Sequence, residues 1–337
     1  MPAVRLEAAR GLAQTPRMSR LRIGLAGAGH FGRFHALKAA ASPRLALVGI
    51  ADPDGARAAQ VAQEAGTTVL PLGELIAAVD AVIVAAPAAW HYDIAVGALA
   101  AGRHVFVEKP IAATVDQAEA LIALAQERKR VLQVGHLERF SAATGALSGR
   151  LGAPLFIEAT RIAPFKPRGT DVSVVMDVMI HDLDLVVHLM GGLPERVEAV
   201  GAPVVSALPD MCDARLTFPD GRVAVVRGSR ISPVTERRMR LWAADGYASL
   251  DMAARALTVV RKGEGRRGAP GFGAETISWQ DRDAIEAEQM AFAASCLDGA
   301  PVVVDGAAGR DALACALMVE AAMASSRARL LASGLIE

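Results

Sequence analysis

Between Leu21 and His136 the chain alternates short, almost wholly apolar runs with longer stretches in which polar residues recur at helical spacing. The runs "LRIGLAG", "LALVGIAD", "AVIVAAP", "HVFVEKP" and "VLQVGH" have no polar face, so they read as strands buried on both sides. Helices through "FGRFHALKAA", "GARAAQVAQEAG", "HYDIAVGALAAG" and "TVDQAEALIALAQERKR" separate them, and strands joined through helices run parallel. The alternation predicts an α/β, doubly wound parallel sheet over residues 21–137.

Beyond His136 the runs lengthen: "LFIEATRIA", "RVEAVGAPVVSA", "DARLTFPDGRVAVVRGSR" and "RRMRLWAADGYASLDMAARALTVVRKG", with Pro219-Asp220-Gly221 as a turn inside the third. They predict a large, mostly antiparallel sheet in an α+β domain spanning residues 138–337. Embedded in it, "MDVMIHDLDLVVHLMGG" reads as a buried helix from a capping region at Thr170, Asp171 and Ser173 to a Gly191-Gly192 stop. Two helices near 284–298 and 308–326 close the chain, and "EGRRGAPGFGAE" reads as a Gly-rich loop. Residues 1–20 read as a flexible tail, an extended start upstream of Met18; it has arginines but no apolar segment, so it is not a secretory signal.

Composition narrows the classes. A chain of 337 residues, 53% hydrophobic, forms about two domains with sizeable cores, and no apolar run is long enough to span a bilayer. Lysine plus arginine equals aspartate plus glutamate at 36 each, so no global charge attracts nucleic acid or an anionic membrane. An anionic ligand must be met by local arginines. Cys212, Cys296 and Cys315 are odd in number, far apart and without Cys-x-x-Cys spacing, which argues against a disulfide framework or zinc site and fits a reducing cytoplasm.

Two constellations carry chemistry. "IGLAGAGHFGRF" sets Gly27, Gly29 and Gly32, with Ala28, His30 and Phe31 between them, as G-x-G-x-x-G after a strand and at a helix start. Such glycines admit a pyrophosphate to the helix N-terminus, the signature of a Rossmann dinucleotide site. Asp52 ends the second strand, where a carboxylate accepts from the ribose hydroxyls of NAD and repels the 2′-phosphate of NADP; Arg57 reads as a solvated helix residue. NAD is the expected cofactor. Glu108 and Lys109 of "VFVEKP" stand at a strand's carboxyl end, facing the cofactor crevice, and the Lys109-Pro110 bond is a candidate cis peptide.

The second constellation is the stripe Asp177, His181, Asp184 and His188 along one side of the apolar helix. Buried and unpaired, these groups would be costly, so they face a partner or a polar cleft. A metal site does not fit, because all four donors come from one helix and the stripe is too long to converge on one ion. Asp184 and His188 read as a structural pair, and the side chains of His30, His35 and His104 as structure or surface.

On "GLAGAGHFG", "VIVAAPAAWHYDIAVGAL", "VEKPIA" and the pair Asp177 and His181, the chain resembles the Gfo/Idh/MocA oxidoreductases from Leu21 to about Ser326. The resemblance implies a Rossmann domain followed by a mostly antiparallel domain that often forms the oligomer interface, here a dimer or tetramer. It implies a catalytic Lys109 and a catalytic His181, with Asp177 orienting the substrate or the imidazole, and cofactor contacts from Ala86, Pro87, His91, Glu108 and Lys109. Where many members carry asparagine or threonine, this chain has Ala88, so backbone contacts must substitute there. The proton could go to Lys109 or His181; the expectation is His181 as base, with Lys109 polarising the reacting oxygen.

"VGHLERFSAA" and "EATRIAPFKPRGTDVSVVMD" place His136, Arg139, Arg161, Lys166 and Arg168 ahead of the stripe helix, and a diphosphate needs such forked donors. These segments and "SRISPVTERRMRLWAADGYASLDM" look like those of the family's UDP-N-acetylglucosamine 3-dehydrogenases. The expected substrate is therefore a nucleotide sugar, bound by Lys109, His136, Arg139, Arg161, Arg168, Asp177 and His181. The resemblance further implies an aminotransferase acting on the 3-keto product on the way to lipid A. A dehydrogenase of a free polyol or sugar and a non-catalytic NAD(H) sensor are the alternatives.

Overall fold

A computed structural model describes residues 19–166, 170, 172–263 and 271–335 of the chain. The first half runs β1 (Leu21–Ala26), α1 (His30–Ala41), β2 (Leu45–Ala51), α2 (Gly55–Ala65), β3 (Thr68–Val69), α3 (Leu72–Ala78), β4 (Ala81–Val84), α4 (His91–Ala100), β5 (His104–Glu108), α5 (Val115–Arg128) and β6 (Leu132–Gly135). All neighbouring strands are parallel, in the order β3-β2-β1-β4-β5-β6. The chain starts at the middle of the sheet, winds to one edge, returns and winds to the other. A crevice therefore opens at the carboxyl ends of β1 and β4. Side-chain caps from Asp54 to the Arg57 N–H and from Thr114 to the Gln117 N–H start α2 and α5.

The second half contains α6 (Ala142–Leu147), β7 (Pro154–Ile162), a π-helical turn (Val175–Met179) leading into α7 (Ile180–Met190), β8 (Arg196–Ala202), β9 (Met211–Thr217), β10 (Val223–Ser229), β11 (Glu236–Ala243), β12 (Gly246–Asp251), β13 (Ala256–Gly263), β14 (Gly271–Ser278), α8 (Ala284–Asp298) and α9 (Gly306–Ala332). Its sheet has the order β14-β13-β12-β11-β7-β10-β9-β8 and is antiparallel except where β7 meets β10. Gly221, at φ 84°, makes the β9–β10 turn possible. One face of the sheet packs against α7 and α9, where Met179, Leu183, Val186 and Val319 join Ile157, Ala214 and Met239 in one core.

The expected boundary at 137/138 falls between the two sheets, but the cores are not divided there. Helix α8 belongs with the first sheet: Phe292 meets Phe106 edge-on at 5.8 Å between ring centroids, and both sit in the core with Ile23 and Leu25. Helix α9 bridges the halves, burying Leu313 in the first core and Cys315, Ala316 and Val319 in the second. It also runs on to Ala332, past the expected end, because helix formers continue there. Residues 271–278 do not extend the Gly-rich loop; they form an edge strand on β13, a position that asks for backbone pairing more than for side chains. The rest of that loop (264–270) and residues 1–18 lie outside the described residues. The three cysteines are free, and burial pushes their thiols up to about 12. Among the described residues no helix is long and apolar enough to cross a membrane.

Candidate active site

At the end of β1 the chain turns through Gly27, Ala28 and Gly29 into α1, whose first turn carries His30, Phe31 and Gly32. Each glycine has its own reason. A Cβ on Gly27, which sits at φ 102°, would stand 2.5 Å from the Ala86 nitrogen, and one on Gly32 would stand 2.0 Å from the Gly27 oxygen. Over a Cβ at Gly29 nothing among the described residues lies within 4 Å. The first glycine makes the turn, the third lets the helix pack on it, and the second leaves the helix N-terminus open to a ligand. A pyrophosphate fits this cradle.

Asp52 is already organised. Its Oδ2 accepts from the Ala28 N–H (2.6 Å), and its Oδ1 accepts from the Asp54 N–H (2.8 Å) and Arg57 Nη2 (2.9 Å). Burial alone would raise its pKa, but the hydrogen bonds from Arg57 and the two N–H groups hold it below the ordinary value. Arg57 is thus not simply a solvated helix residue: it is anchored to the carboxylate expected to read the ribose, with about half of its side chain still exposed.

A cleft of about 600 Å³ runs from the glycines and Asp52 to Lys109 and Asp177. Beside it lies a second cavity of about 360 Å³, and Phe31, Lys109 and Asp177 line both. The Lys109-Pro110 bond is cis. Lys109 Nζ donates to the carbonyl oxygens of Asp177 (3.0 Å) and Met176 (3.4 Å), both in the π-helical turn. Turns of this kind interrupt the α-helical ladder and recur at functional sites.

Two expected cofactor contacts are engaged elsewhere. His91 is buried, with Nδ1 2.7 Å from the Pro110 oxygen and Nε2 2.8 Å from the Ala86 oxygen, so it ties the two walls of the cleft together instead of presenting a nitrogen to a ligand. Ala86 and Pro87 still line the cleft, as does Ala88 in the short 3₁₀ turn that follows. Glu108 lines its floor, but its Oε1 accepts from Nε2 of His35 (2.8 Å), a fully buried residue.

Asp177 and His181 of the stripe both line the second cavity. His181 Nδ1 is buried without a partner among the described residues. Burial, reinforced by the nearby cations Lys109 and Arg161, holds this imidazole well below its ordinary pKa. His136 is fully buried with neither nitrogen partnered among the described residues, and burial lowers its pKa too, although Asp184 opposes the shift.

The lower stripe does not form the expected pair. Asp184 takes a two-pronged bond from Arg139 (Nε 2.7 Å, Nη2 3.0 Å), while His188 is exposed beside a separate, mostly apolar cavity. Arg139 therefore holds α7 and does not line the second cavity. Arg161 lines it, but its forks are occupied: Nε and Nη2 donate to Asp182 (2.8 and 2.9 Å) and Nη1 to Glu138 (2.9 Å). Despite burial, those carboxylates raise its pKa, so the ion persists. Arg168 lies outside the described residues, and Lys166 is exposed at the cavity's edge.

Sequence reasoning missed Asp182, Glu138 and Arg237. Asp182 faces away from the stripe. Arg237 lies in register with Arg161 across β7 and β11, bonds to Glu138 and lines the cavity with a third of its side chain exposed. Strand alternation in "ERRMR" could have shown Arg237's face, but not the strand beside it.

Residues 21–136 match the oxidoreductase family with an NAD-binding Rossmann fold, and residues 146–249 match the Gfo/Idh/MocA C-terminal domain. Over 309 residues, covering 91% of this chain and 98% of the relative, the sequence is 42% identical to a UDP-N-acetylglucosamine 3-dehydrogenase of Acidithiobacillus ferrooxidans. The chain belongs to the Gfo/Idh/MocA oxidoreductase family. A solved structure of UDP-N-acetylglucosamine 3-dehydrogenase from Acidithiobacillus ferrooxidans superposes with a TM-score of 0.85 at 42% identity, covering 90% of this chain and 98% of that one. The fold is also that of a scyllo-inositol dehydrogenase from Lactobacillus casei with bound NAD(H) (TM-score 0.77, 20% identity, 91% and 98% covered). As a Gfo/Idh/MocA member the chain is an NAD-dependent oxidoreductase, and the open cradle over Gly29 fits that cofactor.

Proposed function

We propose that this chain oxidises the C3 hydroxyl of UDP-N-acetylglucosamine or a related nucleotide sugar. The observation that carries the reading is that Lys109 and Asp177 line both the cofactor cleft and the cavity beside it, so a hydroxyl in that cavity meets the cleft at these residues. Likeness to the Acidithiobacillus ferrooxidans relative along nearly the whole chain supports the choice of sugar.

Bound NAD supplies the hydride acceptor at its nicotinamide. The chain does the rest. Gly27 to Gly32 seat the pyrophosphate and Asp52 the ribose. His181, held neutral by burial and neighbouring cations, takes the hydroxyl proton at a ring nitrogen. Lys109, steadied on the Met176 and Asp177 carbonyls, polarises the same oxygen, and Asp177 orients the sugar. With Arg139, Arg161 and Arg230 engaged in buried ion pairs, the exposed Lys166 and the part-exposed Arg237, which shares Glu138 with Arg161, serve a diphosphate at the cavity. The 3-keto product passes to an aminotransferase serving 2,3-diamino-sugar synthesis for lipid A. The enzyme works in the cytoplasm as a homo-oligomer.

A second reading, a dehydrogenase of a free polyol, is favoured by the same engagement of Arg139 and Arg161. The deciding assay follows NADH absorbance with UDP-N-acetylglucosamine, UDP-glucose and myo-inositol, each with a ketone trap. NADH with the first alone is the expected result. Turnover of inositol alone would hand the site to the second reading.

A further inference from the structure

Under the cofactor cleft lies a buried cluster that the proposed reaction does not use: His35, Glu108 and Glu288, with Gln289 and Gln133 around them. All five are at most 6% exposed. The ligand atoms of His35, Glu108 and Glu288 lie within 4.8 Å of one another, the reach of a metal site. The hydrogen bonds argue otherwise. Gln289 Nε2 donates both to the His35 carbonyl oxygen (3.0 Å) and to His35 Nδ1 (3.0 Å), and only its amide nitrogen can serve the carbonyl. Nδ1 is therefore an acceptor and Nε2 carries the hydrogen that goes to Glu108 Oε1 at 2.8 Å. The imidazole is neutral, and the nitrogen that a metal would need is in use.

One neutral imidazole between two buried carboxyls cannot support two negative charges. Glu108 accepts from His35 Nε2 and from the Lys109 N–H (3.2 Å), and it lies near Lys109. Neither oxygen of Glu288 has a partner among the described residues, and its closer approach to the ring is 3.9 Å. The negative charge belongs on Glu108, and Glu288 keeps its proton. Glu108 also lines the cleft. We propose that Glu108 is a redox-state selector: a single buried carboxylate, fixed through His35 and Gln289, that favours the cationic nicotinamide of NAD over the neutral ring of NADH.

This rests on the cleft being the nicotinamide site, and the test separates the two ideas. The dissociation constants of NAD and NADH are measured by calorimetry on the intact protein, without sugar. In Glu108→Gln the Kd ratio of NAD to NADH should rise by about tenfold or more, because an attraction felt only by the charged ring is lost. Glu108→Asp should restore most of the ratio. Glu288→Gln, which replaces an acid that is already neutral, should leave it unchanged. An unaltered ratio in Glu108→Gln would overturn the proposal, as would an equal change in Glu288→Gln. If Glu108→Gln does not fold, infrared spectra decide: a protonated-carboxyl band in the wild type that vanishes in Glu288→Gln supports the charge assignment, and its persistence there refutes it. A wild-type protein that binds neither NAD nor NADH would sink the cofactor reading itself.

Discussion

Two buried polar clusters flank the cleft, and they are built on opposite rules. Beneath α7, Arg161 and Arg237 meet Asp182 and Glu138, two guanidinium ions against two carboxylates, with both carboxylates hydrogen-bonded. Beneath β5, Glu108 and Glu288 share one imidazole, and Glu288 has no hydrogen-bond partner at either oxygen among the described residues. Matched charges stay ions even in a core, because the Coulomb gain is completed by hydrogen bonds. Mismatched charges must shed one. The first arrangement holds α7 in place, and the second decides where a single charge sits.

Breaking the matched cluster should have the largest effect. Arg161→Ala leaves Asp182 and Glu138 buried without their main cation and is expected to cost about 3–5 kcal/mol in denaturant unfolding. A loss below about 1 kcal/mol would mean that the cluster does not hold the fold. Next come the groups between the clusters: Lys109→Ala and His181→Ala should each lower turnover by about 100-fold or more while NAD affinity is kept. Wild-type turnover in either variant would remove that residue from the chemistry.

A smaller effect follows from pH. His136 and His181 both have folded-state pKa values below the ordinary imidazole value. The unfolded chain therefore binds more protons, so stability should fall as pH drops through about 6.5 and gain nothing further from these groups above it. Melting temperatures across that window test this, and a slope unchanged in His136→Gln would exempt His136. The smallest change should be a gain: Glu288→Met removes a buried acid whose carboxyl has no hydrogen-bond partner among the described residues and should add about 1 kcal/mol. A clear destabilisation instead would show that Glu288 is charged and paired.

What could be read beforehand follows the same divide between local and distant. Gly27, Gly29, Gly32 and Asp52 are spaced along one strand–helix–strand unit, so their purpose is visible in the chain itself. Helical spacing likewise gathers Asp177 and His181 on one side. It cannot show what arrives from elsewhere. Asp184 is one turn from His188, yet it binds Arg139, 45 positions away. Arg161, read as a cation for the ligand, is spoken for by Asp182 and Glu138, and only strand register brings Arg237 beside it to share Glu138. Both sheets are legible because each run is long and consistent with its face, whereas the side of the molecule to which α8 returns is not written in its own residues.

The docking of α8 also orders events during synthesis. Phe292, Ala293 and the buried pair Glu288 and Gln289 complete the hydrophobic and polar interior around Phe106 and His35. On the ribosome, that piece emerges only after the entire second sheet. Until then the nascent nucleotide-binding half carries an open wound along α1 and β5, the surface a chaperone would be expected to shelter.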